Sequence, residues 1–248
     1  MTMTKWALVT GGAKRIGQAI VLALHDKGFN IVLHYNGSEV EAISLAEKLN
    51  LVRANSCQTV KADLADEPGI DTLIRHINVH RLPLGVLVNN ASLFTPDNNL
   101  SDWSSSQRLL NLNLLSPYLL ATALGDNLAS NQGCVINLVD IHGERPLKHH
   151  GLYSISKAGL QMATRALAQE LAPKIRVNGI SPGAILWPSK SDQAAIAKVT
   201  QAIPLQRAGG PKDIANTVCF ILDSPYLNGQ VIAIDGGRSA TGYTGADG

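Results

Sequence analysis

Charge and aromaticity are both scarce in this chain: 16% of residues are Asp, Glu, Lys or Arg, and 4% are Phe, Trp or Tyr. The formal net charge is only +2 and no run of basic residues occurs. That argues against nucleic acid as the main partner, because a phosphate backbone is met by clustered Lys and Arg. Cysteine is scarcer still. Cys57, Cys134 and Cys219 lie far apart, in apolar surroundings and without CxxC spacing, so they read as buried, reduced thiols rather than a disulfide framework or a metal site. No apolar run approaches the ~20 residues a bilayer requires, and residues 1–9 carry no extended apolar segment of a signal peptide. The expectation is a cytoplasmic chain with no membrane partner and no bound metal.

What is plentiful is hydrophobic residues, 45% of 248, enough to bury a full core as one unit. Short apolar runs predict strands at Trp6–Thr10, Phe29–His34, Cys57–Lys61, Leu84–Asn89, Cys134–Val139, Ile175–Ile180 and Gln230–Ile234. Stretches of helical period separate them. Ile16, Ala19, Ile20, Ala23 and Leu24 share one helical face. Asp66 can cap a helix whose apolar face is Ile70, Leu73, Ile74 and Ile77. Further helices are expected over about 39–49, from Trp103 to beyond Leu120, over 153–171 and over 211–222. Continuous apolar strands alternating with helices imply a parallel sheet covered on both faces. The predicted fold is α/β, a Rossmann-like doubly wound parallel sheet of about seven strands, in a single domain over 1–248. Its tail, 239–248, is expected to order only by packing on a neighbouring subunit.

Between the first strand and helix stands Thr10-Gly11-Gly12-Ala13-Lys14-Arg15-Ile16-Gly17. Glycines there permit a tight turn and close approach of a pyrophosphate, with the helix N-terminus facing the anion. The spacing is not GxGxxG, and a plain glycine turn is its alternative reading. The second strand runs into His34-Tyr35-Asn36-Gly37-Ser38 without the acidic residue that receives a ribose 2′-hydroxyl. With Arg15 and Ser38 at hand, a 2′-phosphate is favoured, hence NADPH/NADP+ over NAD(H). Asp63-Leu64 is placed to meet an adenine, and Asn89-Asn90-Ala91-Ser92 follows the fourth strand, where the loop passes beneath the cofactor.

Tyr153 and Lys157, four apart, share a helix face. A lysine charge held near a phenol is expected to pull its pKa from about 10 toward neutrality, giving a proton donor usable at physiological pH. Asp140 stands thirteen residues ahead of the tyrosine. Two acidic groups this close are expected to titrate as a coupled pair, one of them raised.

The Thr10–Gly17 turn, Asn89-Asn90-Ala91, Asn113 on the fourth-to-fifth connection and Tyr153-x₃-Lys157, in this order, resemble the short-chain dehydrogenase/reductase family across nearly the whole chain. Within it, Lys14-Arg15, His34-Tyr35, Ser92 with Phe94, Asn113 ahead of Pro117-Tyr118, and Val139-Asp140 are similar to the pteridine reductases. Most family members carry serine where Asp140 stands. With the residue reading above, the resemblance implies a cofactor site of Gly11, Arg15, Ile16, Gly17, His34, Tyr35, Asn36, Ser38, Asp63, Leu64, Asn90, Ala91, Ser92, Tyr153, Lys157, Pro182 and Gly183. It implies hydride transfer from NADPH, with Lys157 binding the ribose and lowering the Tyr153 pKa. Tyr153 would deliver the proton, and Asn113 would hold a water that reconnects Lys157 to solvent. It also implies a homotetramer built on the long helices.

Asp140 separates the candidate substrates. A serine hydroxyl can bond a ketone oxygen; a carboxylate cannot donate that bond and repels a developing alkoxide. A ring C=N needs its nitrogen protonated, and the N–H groups of a pterin welcome an acceptor. Ser92, Phe94, Asp140 and Tyr153 are therefore the expected substrate-binding residues, Phe94 stacking on the flat ring or merely anchoring its loop. The expected reaction reduces a dihydropterin (dihydrobiopterin, dihydromonapterin or dihydrofolate) to its tetrahydro form. One alternative is a carbonyl reductase such as a 3-oxoacyl-carrier-protein reductase, whose serine is missing here. Another is a catalytically silent NADP(H)-sensing protein, which has no need of Tyr153, Lys157 and Asn113 together. The chain departs from the resemblance at Gly37, where a basic residue is common, and at Leu186-Trp187-Pro188, in place of the usual threonine. Trp187 to Ile203 is a candidate substrate lid, with Trp187 lining the pocket or packing the lid. Lys148-His149-His150 reads as a solvated loop, or as the mouth of the site meeting an anionic tail.

Overall fold

A computed structural model describes residues 4–100, 102–187 and 192–241; the far end of the tail, 242–248, and residues 188–191 of the candidate lid lie outside the described residues. Seven strands form one sheet in the order β3-β2-β1-β4-β5-β6-β7, and every pairing is parallel. They are β1 Trp6–Val9, β2 Asn30–Tyr35, β3 Cys57–Lys61, β4 Leu84–Asn89, β5 Cys134–Leu138, β6 Arg176–Pro182 and β7 Val231–Ile234. The helices that begin the crossovers are α1 Arg15–Asp26, α2 Glu39–Val52 and α3 Glu67–Val79. Strand order reverses between β1 and β4, so the loops leaving these two strands part to opposite sides and open a crevice at their carboxyl ends.

Both faces are buried at the centre of the sheet because both residue parities along its central strands are apolar. Ala7, Val9, Ile31, Leu33, Val86 and Val88 belong to one core with Ile20, Leu24 and Ile214. Trp6, Leu8, Val32, Leu84, Leu87 and Val135 belong to the other, with Leu73, Ile77 and Leu167. Asp66 caps α3 as expected, accepting from the Gly69 N–H at 2.9 Å.

The helix expected from Trp103 to beyond Leu120 is broken into α4 Trp103–Leu110, a π-helical turn Asn111–Leu115 and α5 Ser116–Ala123. Proline supplies the reason. Pro117 has no N–H to close an α-type bond onto the carbonyl of Asn113, and the ladder loosens around it. A short α6, Gly125–Ser130, follows; then come α7, Gly151–Glu170, and α8, Gln193–Gln201, within the stretch read as a lid, and α9, Pro211–Asp223. Among the described residues no helix is long and apolar enough to cross a membrane.

Candidate active site

The crevice starts at the turn after β1. Gly11 takes φ +62, a region that favours glycine. Gly17 is required by packing: a Cβ there would stand 2.2 Å from the Gly11 carbonyl oxygen and 2.8 Å from Asn90 Nδ2. The turn is cross-braced from three sides. Gly11 N–H donates to His34 Nδ1 at 3.1 Å, and His34 Nε2–H donates to the Ala62 carbonyl at 3.0 Å. Asn90 Nδ2 donates to the Thr10 and Gly11 carbonyls at 2.8 and 3.0 Å, while Thr10 Oγ1 accepts from the Asn90 and Ala91 N–H groups. His34 is buried, and burial pushes its pKa down to about 4, so it serves as a neutral strut. Arg15 adopts φ +55, uncommon for a residue with a side chain, and reaches the crevice wall.

Helix α1 begins at this turn with no side-chain cap and no acidic residue in its first turn. Its N-terminal N–H groups and dipole thus face the crevice without an anion of their own. A glycine cradle closed to any Cβ, ending in an uncapped helix start, fits a pyrophosphate. At the carboxyl ends of β2 and β3 the picture is mixed. Asn36 and Ser38 are exposed or half-buried, whereas Tyr35 is buried, its hydroxyl donating to Glu39 at 3.4 Å. Glu39 and Glu41 are each held by a lysine, Lys61 at 3.1 Å and Lys14 at 2.8 Å. Burial works against ionisation of Asp63, but Arg108 at 2.6 Å and the Ala65 N–H outweigh it and hold the carboxyl below its ordinary range. Leu64 is 2% exposed and belongs to the core, so its side chain does not face the crevice.

Beyond the turn, Arg15, Ile16, Asn90, Ser92, Asp140, Tyr153, Lys157, Pro182 and Gly183 line one cleft of ≈ 200 Å³ with Leu138, Val139 and Ala184–Leu186. Asp140 stands two residues beyond the end of β5, and α7 carries Tyr153 and Lys157 on the face turned to it. The Tyr153 hydroxyl donates to Asp140 Oδ2 at 2.8 Å; Oδ1 accepts the His142 N–H at 2.9 Å. Lys157 is buried, donates to the Leu138 carbonyl at 2.9 Å and stands 5.8 Å from the centre of the Tyr153 ring.

This geometry corrects the expectation that Lys157 pulls the phenol toward neutrality. Burial, then the Asp140 charge, then the hydrogen bond to Asp140 push Tyr153 above the ordinary phenol value. Lys157 moves the other way, to about 8, because burial disfavours its ammonium more than Asp140 favours it.

Asn113 lies behind the cleft, fully buried in the π turn. Its Oδ1 accepts from Ser92 Oγ at 3.1 Å and the Leu93 N–H at 2.8 Å. Its Nδ2 donates to the Leu93 carbonyl at 2.9 Å and Ser156 Oγ at 3.1 Å. The side chain thus ties the β4 loop to α7. Phe94 lies beside the cleft lining, 54% exposed, edge-on to Tyr153 and stacked on His150. Of the two readings of Lys148-His149-His150, a solvated loop or the mouth of the site, the second agrees with the stacking of His150 on Phe94. For His150 the signal was only its position three residues ahead of Tyr153, almost one helical turn.

A family model described as enoyl-(acyl carrier protein) reductase matches residues 11–239. Pteridine reductase 1 of Leishmania tarentolae is 32% identical, over 95% of this chain and 96% of that protein. The 3-oxoacyl-acyl-carrier-protein reductase of Staphylococcus aureus is 34% identical, over 96% and 99%. Glucose 1-dehydrogenase 2 of Bacillus subtilis is 31% identical, over 95% of both chains. The names of these relatives span three substrates, so the choice among them rests on the side chains of the cleft.

Proposed function

The chain belongs to the short-chain dehydrogenase/reductase family, and from that premise we propose that it is an NADPH-dependent pteridine reductase, converting a dihydropterin to its tetrahydro form. The bond from the Tyr153 hydroxyl to Asp140 Oδ2 carries the reading. A carboxylate offers about four acceptor sites and no donor. Here one oxygen takes the phenol and the other a backbone N–H, leaving acceptor sites for the N–H groups of a pterin. A ketone oxygen in the same place finds one donor, Tyr153, and a charge that repels the alkoxide.

When bound, NADPH supplies the hydride to the ring carbon of the C=N bond. Gly11, Arg15, Ile16, Gly17, Asn90, Ala91, Pro182 and Gly183 would hold it along the glycine turn and the β6 end, with Arg15, Asn36 and Ser38 toward the 2′-phosphate. Tyr153, with its pKa raised by burial and by Asp140, stays protonated at neutral pH and serves as the proton donor to the ring nitrogen. Lys157 then stabilises the phenolate that forms and binds the ribose. The Asn113 side chain has its polar groups engaged by protein, so a water linking Lys157 to solvent would use the Asn113 main-chain carbonyl, which Pro117 deprives of its α-helical donor. The exposed apolar residues Ile155 and Met162 on α7 and Leu115 and Leu119 beside α5 support a homotetramer built on these helices.

Purified protein is assayed by NADPH oxidation with 7,8-dihydrobiopterin, dihydromonapterin and dihydrofolate, against an acetoacetyl thioester. Turnover of a dihydropterin with little or none of the thioester is the expected result. Turnover of the thioester alone establishes a carbonyl reductase, and NADPH binding without any turnover a silent binder.

A further inference from the structure

The loop after β4 and the turn before α7 are braced together by contacts that the proton relay does not use. The Asp97 carboxylate accepts the N–H of Gly151 at 2.8 Å and of Leu152 at 3.2 Å. Its own N–H donates to the His149 carbonyl at 2.8 Å. Helix α7 has no acidic residue in its first turn and no side-chain cap from His150 at its N-cap. Asp97 therefore supplies, from a distant segment, the acceptor a helix start requires. Next to this brace His149 takes φ +64, and His150 lays its ring on Phe94, centroids 4.4 Å apart and planes 16° from parallel. His150 Nδ1 faces the Lys148 carbonyl at 3.3 Å. Phe94 meets Tyr153 with centroids 4.8 Å apart and planes at 86°. Three rings thus run from the outer loop to the proton donor. A half-exposed phenylalanine in water samples several rotamers; this one is pinned on both sides.

We infer that His150 is a positioning residue of the substrate site: its imidazole fixes the Phe94 ring edge-on to Tyr153, so that a flat heteroaromatic substrate meets a preformed aromatic wall beside the proton donor. The inference rests on the pterin reading of the same site. A ring already held in place costs nothing to order when substrate arrives. Loss of such a stack is worth about 2- to 12-fold in affinity.

The test compares wild type, His150→Ala and His150→Phe with 7,8-dihydrobiopterin, in steady state and by titrating the pterin into enzyme saturated with NADP+. In His150→Ala, KM and Kd for the pterin should rise about 2- to 12-fold. Its kcat and its Kd for NADPH should stay within about twofold, since Tyr153, Lys157 and the glycine turn are untouched. His150→Phe, which keeps a flat ring, should restore the pterin constants. An unchanged KM in His150→Ala overturns the positioning role, and so does a His150→Phe variant as impaired as the alanine. Equal losses of pterin and NADPH affinity would mark a merely structural residue and overturn it too. If wild type neither binds nor reduces any dihydropterin, the substrate reading fails and this inference with it; pterin turnover insensitive to His150 sinks the inference alone.

Discussion

Lys157 gives the buried site a pH signature in stability. Burial lowers its pKa from 10.5 to about 8, a gap of about 2.5 units, and each unit corresponds to about 1.4 kcal/mol. The sign follows from proton counting. Below about pH 8 both folded and unfolded chains hold the proton, and the full cost of burying the ammonium is present. Between about 8 and 10.5 the unfolded chain binds more protons, so stability rises with pH. Above 10.5 neither state holds the proton and the gain, roughly 3 kcal/mol, is complete. Lys157→Met keeps the aliphatic stem and removes the titration. It also loses the bond to the Leu138 carbonyl, an offset that depends little on pH. Urea unfolding of both proteins at pH 7, 8, 9 and 10 isolates the effect, because the other titrating groups, Cys57 and Cys134 included, cancel in the difference. The stability of the variant relative to wild type should fall by roughly 2.5 kcal/mol across that range, most of it above pH 8. A difference constant from pH 7 to 10 refutes the buried, charge-disfavoured lysine.

Other outcomes follow from neighbouring contacts. Gly17→Ala pushes a methyl to 2.2 Å from the Gly11 carbonyl oxygen; thermal melting should show a loss of about 1–3 kcal/mol, and fluorescence titration a weaker NADPH complex. Arg15→Ala should raise the KM for NADPH far more than that for NADH, and equal effects on both contradict the 2′-phosphate assignment. Asp66→Ala removes the cap of α3 and should cost about 1 kcal/mol in urea unfolding.

The seven strands were legible in the sequence because both faces of the sheet are buried and the apolar runs are continuous. β3 and β4 keep the expected ends; those of the other five moved by a residue or two, and β6 runs on to Pro182. Helical period also announced the α3 cap at Asp66. The break at Asn111–Leu115 was harder to see. Pro117 stands inside the helix expected from Trp103 to beyond Leu120, but the residue alone does not say how the ladder rearranges around it, and only the structure shows the π-helical turn. The direction of the Tyr153 shift was misread for a related reason. Sequence spacing places Lys157 near the phenol, yet the phenol bonds Asp140, and its pKa answers to burial and to that carboxylate. His34 and Leu64 lie at the expected places along the chain, but strand parity turns His34 inward to brace the glycine turn, and the turn after β3 carries Leu64 into the core.

The most direct measurement is kcat/KM of Asp140→Ser for 7,8-dihydrobiopterin and for an acetoacetyl thioester, beside wild type. Placing a hydroxyl donor at this position removes the charged acceptor and should cut pterin reduction by roughly 10- to 10²-fold and raise thioester reduction. Pterin reduction unchanged in the serine variant would contradict the claim that the carboxylate beside Tyr153 selects a carbon–nitrogen double bond.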